Sequence, residues 1–582
     1  MTMKLAEALK VIQSAPPQAP TIQVALLCGF NPLHLEIFLR AELSRLFPDR
    51  LPVVKTGLYG DLIGNLQRIE NVSAGIVAME WADLDPRLGL RRLGGWDASQ
   101  LSDILAEVNR SCDCLRNAVE ECARKVPVVV SLPTLPLVPV AFNPPAQASE
   151  LSLELDNRVA SLAVDLSRVP GVRIVERRRL DKLSSGSRFD VNSDLATGFP
   201  YTIGHASALA ELLARLVLNR PAKKGLITDL DDTLWRGILG DDGVDGISWD
   251  LEHHSQIHGL YQQLLRSLAS SGTLIAVASK NEAAIVDEAF AARDPILPKA
   301  DIFPFEVHWG PKSESVTRIL RAWNIAADDV VCVDDSAAEL AEIQRSHPRV
   351  ECLLFPRDNP QAAYELFEKL RDWFGKDHIS PEDRLRLASL RANAEFQGRL
   401  PRAAMSASGD FLAQIDGRLT VSTKKQPLDE RALELVNKTN QFNLNGRRVL
   451  EADWRGWLSA PDSVLITASY HDKYGPLGKI AVIAGDLSYD NDSKRRKLRV
   501  RTWVMSCRAF SRQIEFECLR WLFTQLKVDE LEFDFAATPR NAPIQDFLQK
   551  VLQGPPESEC RLTREQFLQN CPASSYVVEE VA

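Results

Sequence analysis

The chain has 582 residues, 45% of them hydrophobic and 25% charged, with a formal net charge of −9. That balance is ordinary for a globular protein of roughly three or four domains, and it argues against a general nucleic-acid binder. No apolar run is long enough to cross a bilayer, the start has no signal-peptide core, and the ten cysteines are scattered without a CxxC pair, so a cytoplasmic protein with reduced thiols and no structural zinc is expected.

In chain order, a short helix and the Pro-rich lead Ala15–Pro20 precede a strand at Ile22–Leu27 and a helix over Leu33–Phe47. Val53-Val54, Gly75–Met79, Val128–Leu132 and Val172–Val175 read as further strands, and His205–Leu218 as a closing helix. The alternation predicts an α/β domain with a parallel sheet over residues 1–221. The turn after its first strand, Cys28-Gly29-Phe30-Asn31-Pro32, offers Cys28 and the nearby His34 as a reactive pair; a buried small hydrophobe and a helix-start histidine are the plainer account.

The second domain, residues 222–375, opens on Lys224–Trp235, an apolar run that ends in Asp229, Asp231 and Asp232. Such a run reads as a buried parallel strand whose carboxyl end meets solvent, where open α/β sheets place ligand sites. Asp229 and Asp231 point to one side if the strand runs that far. A second strand, Thr273–Ser279, ends in a hydroxyl and Lys280-Asn281; Lys312 follows; a third, Asp329–Val333, ends in Asp334-Asp335. Acid pair, Ser, Lys and acid pair supply a carboxylate nucleophile, donors for phosphoryl oxygens, and hard oxygen ligands that favour Mg2+. The chemistry read from them is phosphoryl transfer, with Asp229 as nucleophile and Asp231 as general acid/base. One helix, His254–Ser270, separates the first acids from Ser279, so the loop Arg236–Trp249 must cover the site, and the His253, His254, His258 set reads as solvated surface.

Residues 376–415 read as a linker, helical at first and then Ser406–Asp410. From 416 to 582 the pattern becomes a strand at Leu419–Val421, a helix over Asp429–Lys438, long strands at Ser463–Tyr470, Gly478–Ser488 and Leu498–Met505, a helix over Ser511–Gln525 and a strand at Glu530–Phe535. Lys494–Lys497 with Arg499 and Arg501 form the densest basic run.

The motif series Asp229, Asp231, Ser279, Lys312, Asp334 resembles the haloacid dehalogenase (HAD) superfamily. Asp229–Gly243, Ser279–Glu282 and Val333–Glu339 resemble its FkbH-like branch, which typically reads DLDNTLWGG followed by a GEDG-like turn; here Asp232 stands for the usual Asn and Arg236 for the usual Gly. The resemblance implies catalytic Asp229, Asp231, Ser279 and Lys312, substrate contacts from Thr233, Lys280 and Asn281, and Mg2+ held by Asp229, Asp231, Asp334 and Asp335. It also implies the activity: glyceryl, from a phosphorylated three-carbon donor such as 1,3-bisphosphoglycerate, loaded on the phosphopantetheine arm of an acyl carrier protein in polyketide or related biosynthesis. Two alternatives stay open: a HAD phosphatase fused to a coenzyme A-dependent acetyltransferase, and a carrier-protein docking scaffold.

In long FkbH-like proteins the first domain resembles an SGNH hydrolase, whose catalytic Ser is missing here, so that domain is expected to be non-catalytic. The last domain resembles the GNAT acyltransferase fold and keeps the family's TNQFN segment (Thr439–Asn443) and MSCR segment (Met505–Arg508). The implied fold is multidomain α/β: an SGNH-like α/β domain, a HAD-like Rossmannoid parallel sheet with a minimal cap, and a GNAT-like α+β domain. Cys507 lies in the strand-to-helix turn beside Arg508 and Arg512, where a helix N-terminus and guanidiniums favour thiolate; it is expected to carry the acyl group. Arg508, Asn440, Asn443, Asp472, Thr538 and Asn541 match further motif positions, expected to bind substrate. The usual RxxGRG turn reads Arg508–Gln513 here, which disfavours coenzyme A and leaves room for a pantetheine arm.

Overall fold

The computed structural model describes residues 3–14, 18–93, 96–140, 143–144, 146–218, 222–376, 379–399, 412, 414–426, 428–490, 495–557, 559–574 and 576–581. The chain divides into two compact units, Met1–Arg220 with Val449–Ala460, and Pro221–Arg448 with Pro461–Ala582. No helix among the described residues is long and apolar enough to cross a membrane.

The first unit is built on a five-stranded parallel sheet in the order β2-β1-β3-β4-β5, with β1 Thr21–Leu27, β2 Leu51–Thr56, β3 Ala74–Ala78, β4 Val128–Ser131 and β5 Val172–Ile174. Successive strand residues point to opposite faces. Val24 and Leu26 pack with the helices Leu33–Leu46 and Ile203–Leu218, and Ala25 and Leu27 with Leu62–Gln67 and Leu101–Lys125. Continuous apolar runs are what a sheet covered on both faces requires. Residues 449–460, expected inside the last domain, belong to this unit: Glu451 on the helix Glu451–Leu458 pairs with Arg173 of β5 at 3.1 Å.

The second unit holds two sheets. The first, β10-β9-β6-β7-β8, is parallel throughout, with β6 Gly225–Thr228, β7 Leu274–Ser279, β8 Ile302–Val307, β9 Val330–Asp334 and β10 Glu351–Leu354. Leu226, Ile275 and Val331 face the helices Gln256–Ser270, Ala283–Arg293 and Pro360–Phe374. Ile227, Ala276 and Cys332 face Lys312–Trp323 and Ala337–Ser346. The second is an eight-stranded mixed sheet of β11 Arg418–Ser422, β12 Phe442–Asn443, β13 Ser463–Asp472, β14 Gly475–Asp490, β15 Arg495–Met505, β16 Glu530–Asp534, β17 Glu559–Thr563 and β18 Val577–Val581.

Residues 376–415, read from sequence as a linker, are largely structural. The helix Pro381–Arg399 buries Leu390 against Ile227 and Trp323, and Phe396 against Leu412 and Ile415. Its Ser389 and Asn393 accept hydrogen bonds from Arg508 (2.9 Å) and Arg512 (3.1 Å). The expected linker core Ser406–Asp410 lies outside the described residues.

Candidate active site

Strand β6 ends at Thr228, one residue before the first acid, so Asp229 and Asp231 do not share a strand face as the apolar run suggested. The Asp229 N–H still donates to Val333 O of β9 at 3.0 Å, which fixes the acid at the carboxyl end of adjacent central strands. Asp229 is 7% exposed. Its Oδ2 lies 3.0 Å from the Lys312 ammonium, and its buried Oδ1 has no well-aligned hydrogen-bond partner among the described residues. Burial raises the Asp229 pKa against the pull of Lys312.

Lys312 opens the helix Lys312–Trp323 and points back into the acids. Its Nζ is 2.6 Å from Asp334 Oδ2 and also meets Glu339. Burial opposes its charge, but Asp229, Asp334 and Glu339 outweigh that and hold the ammonium above the usual lysine range. Burial and the repulsion of Asp229 lift Asp334 to about 6. Glu339 also pairs with Lys280 at 3.1 Å; burial would raise it, but Lys312 and Lys280 hold it low.

Asp231 is occupied differently. Its Oδ1 accepts from Trp235 Nε1 (3.0 Å) and the Leu239 N–H (3.2 Å), and its Oδ2 from Asn281 Nδ2 (2.9 Å). The Leu239 contact means that the covering segment is not a bare loop: the helix Leu239–Gly246 begins on the general acid/base candidate. Thr233 takes the Asp335 N–H on its hydroxyl at 3.1 Å and gives its carbonyl to His258 Nδ1 at 3.0 Å. His258 is buried, not at the surface as the sequence suggested.

The oxygens that lie together for a metal are those of Asp229, Asp334 and Glu339. The expected four-acid shell is not assembled. Asp231 faces Trp235, Leu239 and Asn281, and Asp335 faces Arg357 at 3.1 Å. Glu339 was quoted only as part of a resembling motif; it sits five residues after Asp334, and the Ser336 hydroxyl that accepts its N–H starts the helix that brings it inward. An all-oxygen donor set with one unpartnered buried carboxylate oxygen fits a hard divalent cation.

The C-terminal sheet departs from expectation at several residues. The parallel ladder between β15 and β16 runs only from Lys497↔Glu530 to Val500↔Phe533. Beyond it β15 pairs with β12, and Leu444 bridges the gap: its N–H donates to Trp503 O (2.9 Å) and its carbonyl accepts from Ala536 (3.1 Å). Asn443 accepts the N–H groups of Asn445 and Gly446, and Asn541 donates to Asn443 O and Ala536 O while accepting from Thr538. Asn440 accepts from Arg448, and Asp472 pairs with the fully buried Arg512 at 2.9 Å. These positions, expected to bind substrate, hold the inserted segment and the core.

Cys507 lies in a short turn, Cys507–Ala509, and the next helix begins only at Ile514. Burial pushes its thiol up, and the attraction of Arg508 and a hydrogen bond with Asn324 do not reverse that. The expected thiolate is therefore not favoured, because burial outweighs Arg508; Arg508 also donates to Ser389 and Ser506, and Arg512 is paired with Asp472. In the expected basic run, Lys494 lies outside the described residues, Arg499 pairs with Asp534 at 2.7 Å, and Arg501 pairs with Asp486.

In the first unit a cavity of about 800 Å³ opens at the carboxyl ends of β1 and β3, lined by Phe30, Tyr59, Trp81, Asp83 and Phe189 among others. Cys28 is buried beside it, donates to Phe30 O at 3.2 Å, and is pushed far up by burial.

No protein-family model and no curated protein matches the chain. Among solved structures, the N-terminal part of the protein BF1531 from Bacteroides fragilis, containing a phosphatase domain complexed with Mg, is 19% identical, with a TM-score of 0.50 over 65% of this chain and 100% of that one. An uncharacterized protein from Corynebacterium glutamicum ATCC 13032 Kitasato is 16% identical over 26% of this chain and 98% of its own, with a TM-score of 0.19. A GCN5-related glucosamine N-acetyltransferase region of a fungal multi-domain GH3 beta-N-acetylglucosaminidase is 10% identical over 92% and 64%, at 0.15. The last two superpose too poorly to bear on the fold. The first shows that this chain shares the α/β architecture of a structure that contains a phosphatase domain.

Proposed function

We propose that the second unit is a Mg2+-dependent phosphoryl-transfer enzyme of the HAD type with Asp229 as its nucleophile. The observation that carries this reading is the Asp229 carboxylate: one oxygen is held by Lys312, and the other is buried without a well-aligned partner at the end of a central parallel strand. Asp229 Oδ1 attacks phosphorus, the bond to the leaving oxygen breaks, and Asp231 gives that oxygen a proton. Asp231 then takes a proton from water, whose oxygen attacks the phospho-aspartate and releases phosphate. Lys312 orients Asp229 and pulls against the effect of burial on its charge. Asn281, Trp235 and Leu239 hold Asp231, with Asn281 and Trp235 touching different oxygens. Asp229, Asp334 and Glu339 would hold the Mg2+, which when bound offsets negative charge on the phosphoryl group.

The finer reading follows the FkbH-like resemblance, with a GNAT-like last domain and an SGNH-like first one. The substrate is a phosphorylated three-carbon acyl donor such as 1,3-bisphosphoglycerate. A thiol attacks the acyl carbon, and the acyl phosphate leaves as inorganic phosphate. The Asp229 site hydrolyses the remaining phosphate ester, and the glyceryl group ends as a thioester on an acyl carrier protein in the cytoplasm. The half-buried setting of Cys507, which opposes its thiolate, favours transfer straight to the pantetheine thiol of the carrier. Intact-mass measurement of a holo carrier protein incubated with the chain, Mg2+ and the donor tests this. A mass gain equal to one glyceryl group supports it. Phosphate release without any gain leaves the phosphatase alone, and no phosphate release from any donor overturns both.

A further inference from the structure

Each of the two site acids at the carboxyl ends of β6 and β9 is followed by a second acid, and one arginine reaches both. Asp232, next to Asp231, has a left-handed backbone with φ 49°, a conformation that Asp and Asn tolerate better than most residues. Its Oδ1 accepts the Gly237 N–H at 2.9 Å, closing the turn that leads to the covering helix. Its Oδ2 meets Nη1 of Arg357, and the same Nη1 lies 3.1 Å from Oδ2 of Asp335, the neighbour of Asp334. Arg357 stands on the segment after β10 and reaches across β9 toward β6, following the sheet order. Two carboxylates on neighbouring loops repel unless a cation lies between them. Asp232 adds such a charge directly beside the site.

We propose that Arg357 is a positioning residue of the phosphoryl-transfer site, a strap that ties the loop after β6 to the loop after β9 by neutralising Asp232 and Asp335 together. It touches no reacting atom. It acts by fixing where Asp231 and Asp334 stand relative to each other. The proposal rests on the reading of Asp229 as nucleophile.

The test is steady-state release of phosphate from p-nitrophenyl phosphate with Mg2+, using the full chain. Misplacing a catalytic group by about 1 Å costs up to about a hundred-fold, so Arg357→Gln should lower kcat about ten- to a hundred-fold with KM changed less than about three-fold. Adding Asp232→Asn should recover most of that loss, because a neutral amide keeps the left-handed turn and the bond from Gly237 but needs no counter-charge. A plain packing role predicts no rescue. Full activity of Arg357→Gln, or a double variant no better than the single one, overturns the proposal. Where Arg357→Gln does not fold, Asp232→Asn is compared with Asp232→Asn/Arg357→Gln; a loss beyond about ten-fold between those two overturns it and a smaller one supports it. A wild-type chain inert toward every phosphate ester ends the reading of Asp229, and the strap with it.

Discussion

The first unit and the front of the second unit use the same device, a five-stranded parallel sheet covered by helices on both faces, and end their central strands in opposite ways. After β6 comes Asp229, whose carboxylate is held by Lys312, the Leu230 N–H and the Ser279 hydroxyl, with Oδ1 lacking a well-aligned partner among the described residues. After β1 comes Cys28, whose thiol is closed on Phe30, and then Gly29, whose N–H supports the Asp83 carboxylate. A Cβ on Gly29 would stand 1.8 Å from Asp83 Oδ1, so only glycine fits this approach. Glu80 is spent too: its oxygens take the hydroxyls of Thr134 and Tyr201 and the N–H groups of Thr134 and Leu135. The crevice at the end of β1 holds a cavity of about 800 Å³, yet its acids are bonded to their own chain. The acid after β6 is held by a lysine that it shares with two further acids, whereas Glu80 near β1 is held by neutral hydroxyl and N–H donors.

Four measurements break or sharpen that contrast. The largest effect is expected for Asp229→Asn, which should reduce phosphate release at least about a thousand-fold, since an amide cannot form the phospho-enzyme. Removing Mg2+ with a chelator should do the same reversibly. Normal turnover by this variant would erase the difference between the two crevices.

Next, Lys312→Met should cost about 3–5 kcal/mol of stability as well as activity, because it leaves Asp229, Asp334 and Glu339 without their shared cation. Chemical unfolding that shows a loss under about 1 kcal/mol would mean that the acids do not depend on it.

In the first unit the acids should register in a pH profile instead. Burial raises Glu80 and Asp83 to about 7. A carboxyl whose folded pKa is raised binds its proton more tightly in the folded state, so its contribution is present at low pH and is lost as pH rises from the ordinary carboxylate range through about 7. Glu80→Gln should flatten that fall by on the order of 3 kcal/mol. An unchanged slope between pH 4.5 and 7 would show that Glu80 is ionised throughout.

The smallest effect is in thiol reactivity. Iodoacetamide at mildly alkaline pH should label the exposed Cys114 well before Cys507, and Cys28 last, as read by peptide mass spectrometry. Cys507 labelling first would restore the thiolate expected from its arginine neighbours.

The legible parts of the chain were those whose physics is local. Apolar runs such as Leu226–Thr228 and Val330–Val333 announce buried parallel strands, and the acids that stop them mark the site edge. Lys312 was legible as a motif position, and its contacts agree with a role beside Asp229. Arg357 reaches the site through the sheet order β10-β9-β6, which no spacing rule contains, and Glu339, though within the Val333–Glu339 motif, is turned inward only by the helix that Ser336 caps. The setting of Cys507 was not legible either: its arginine neighbours are in the sequence, but the burial that outweighs them and the Ser389 that takes Arg508 come from packing far away in it. The helical pattern of Pro381–Arg399 was legible, but its charged composition hid its packing, which rests on Leu390 and Phe396 in two separate clusters.

That helix also decides where this protein can be divided. A fragment stopped before Pro381 would keep every site acid but bare Trp323, Val316 and Ile227 along the cluster that Leu390 covers. Fresh apolar surface of that kind invites self-association. Starting a fragment after Arg399 would take Phe396 from the Arg512 guanidinium, 3.8 Å away, and leave the buried Arg508 without Ser389. A piece carrying the phosphoryl site therefore keeps that cluster covered only if it includes Leu390, and limited proteolysis should spare the backbone from Pro381 through Leu390 for as long as it spares β6.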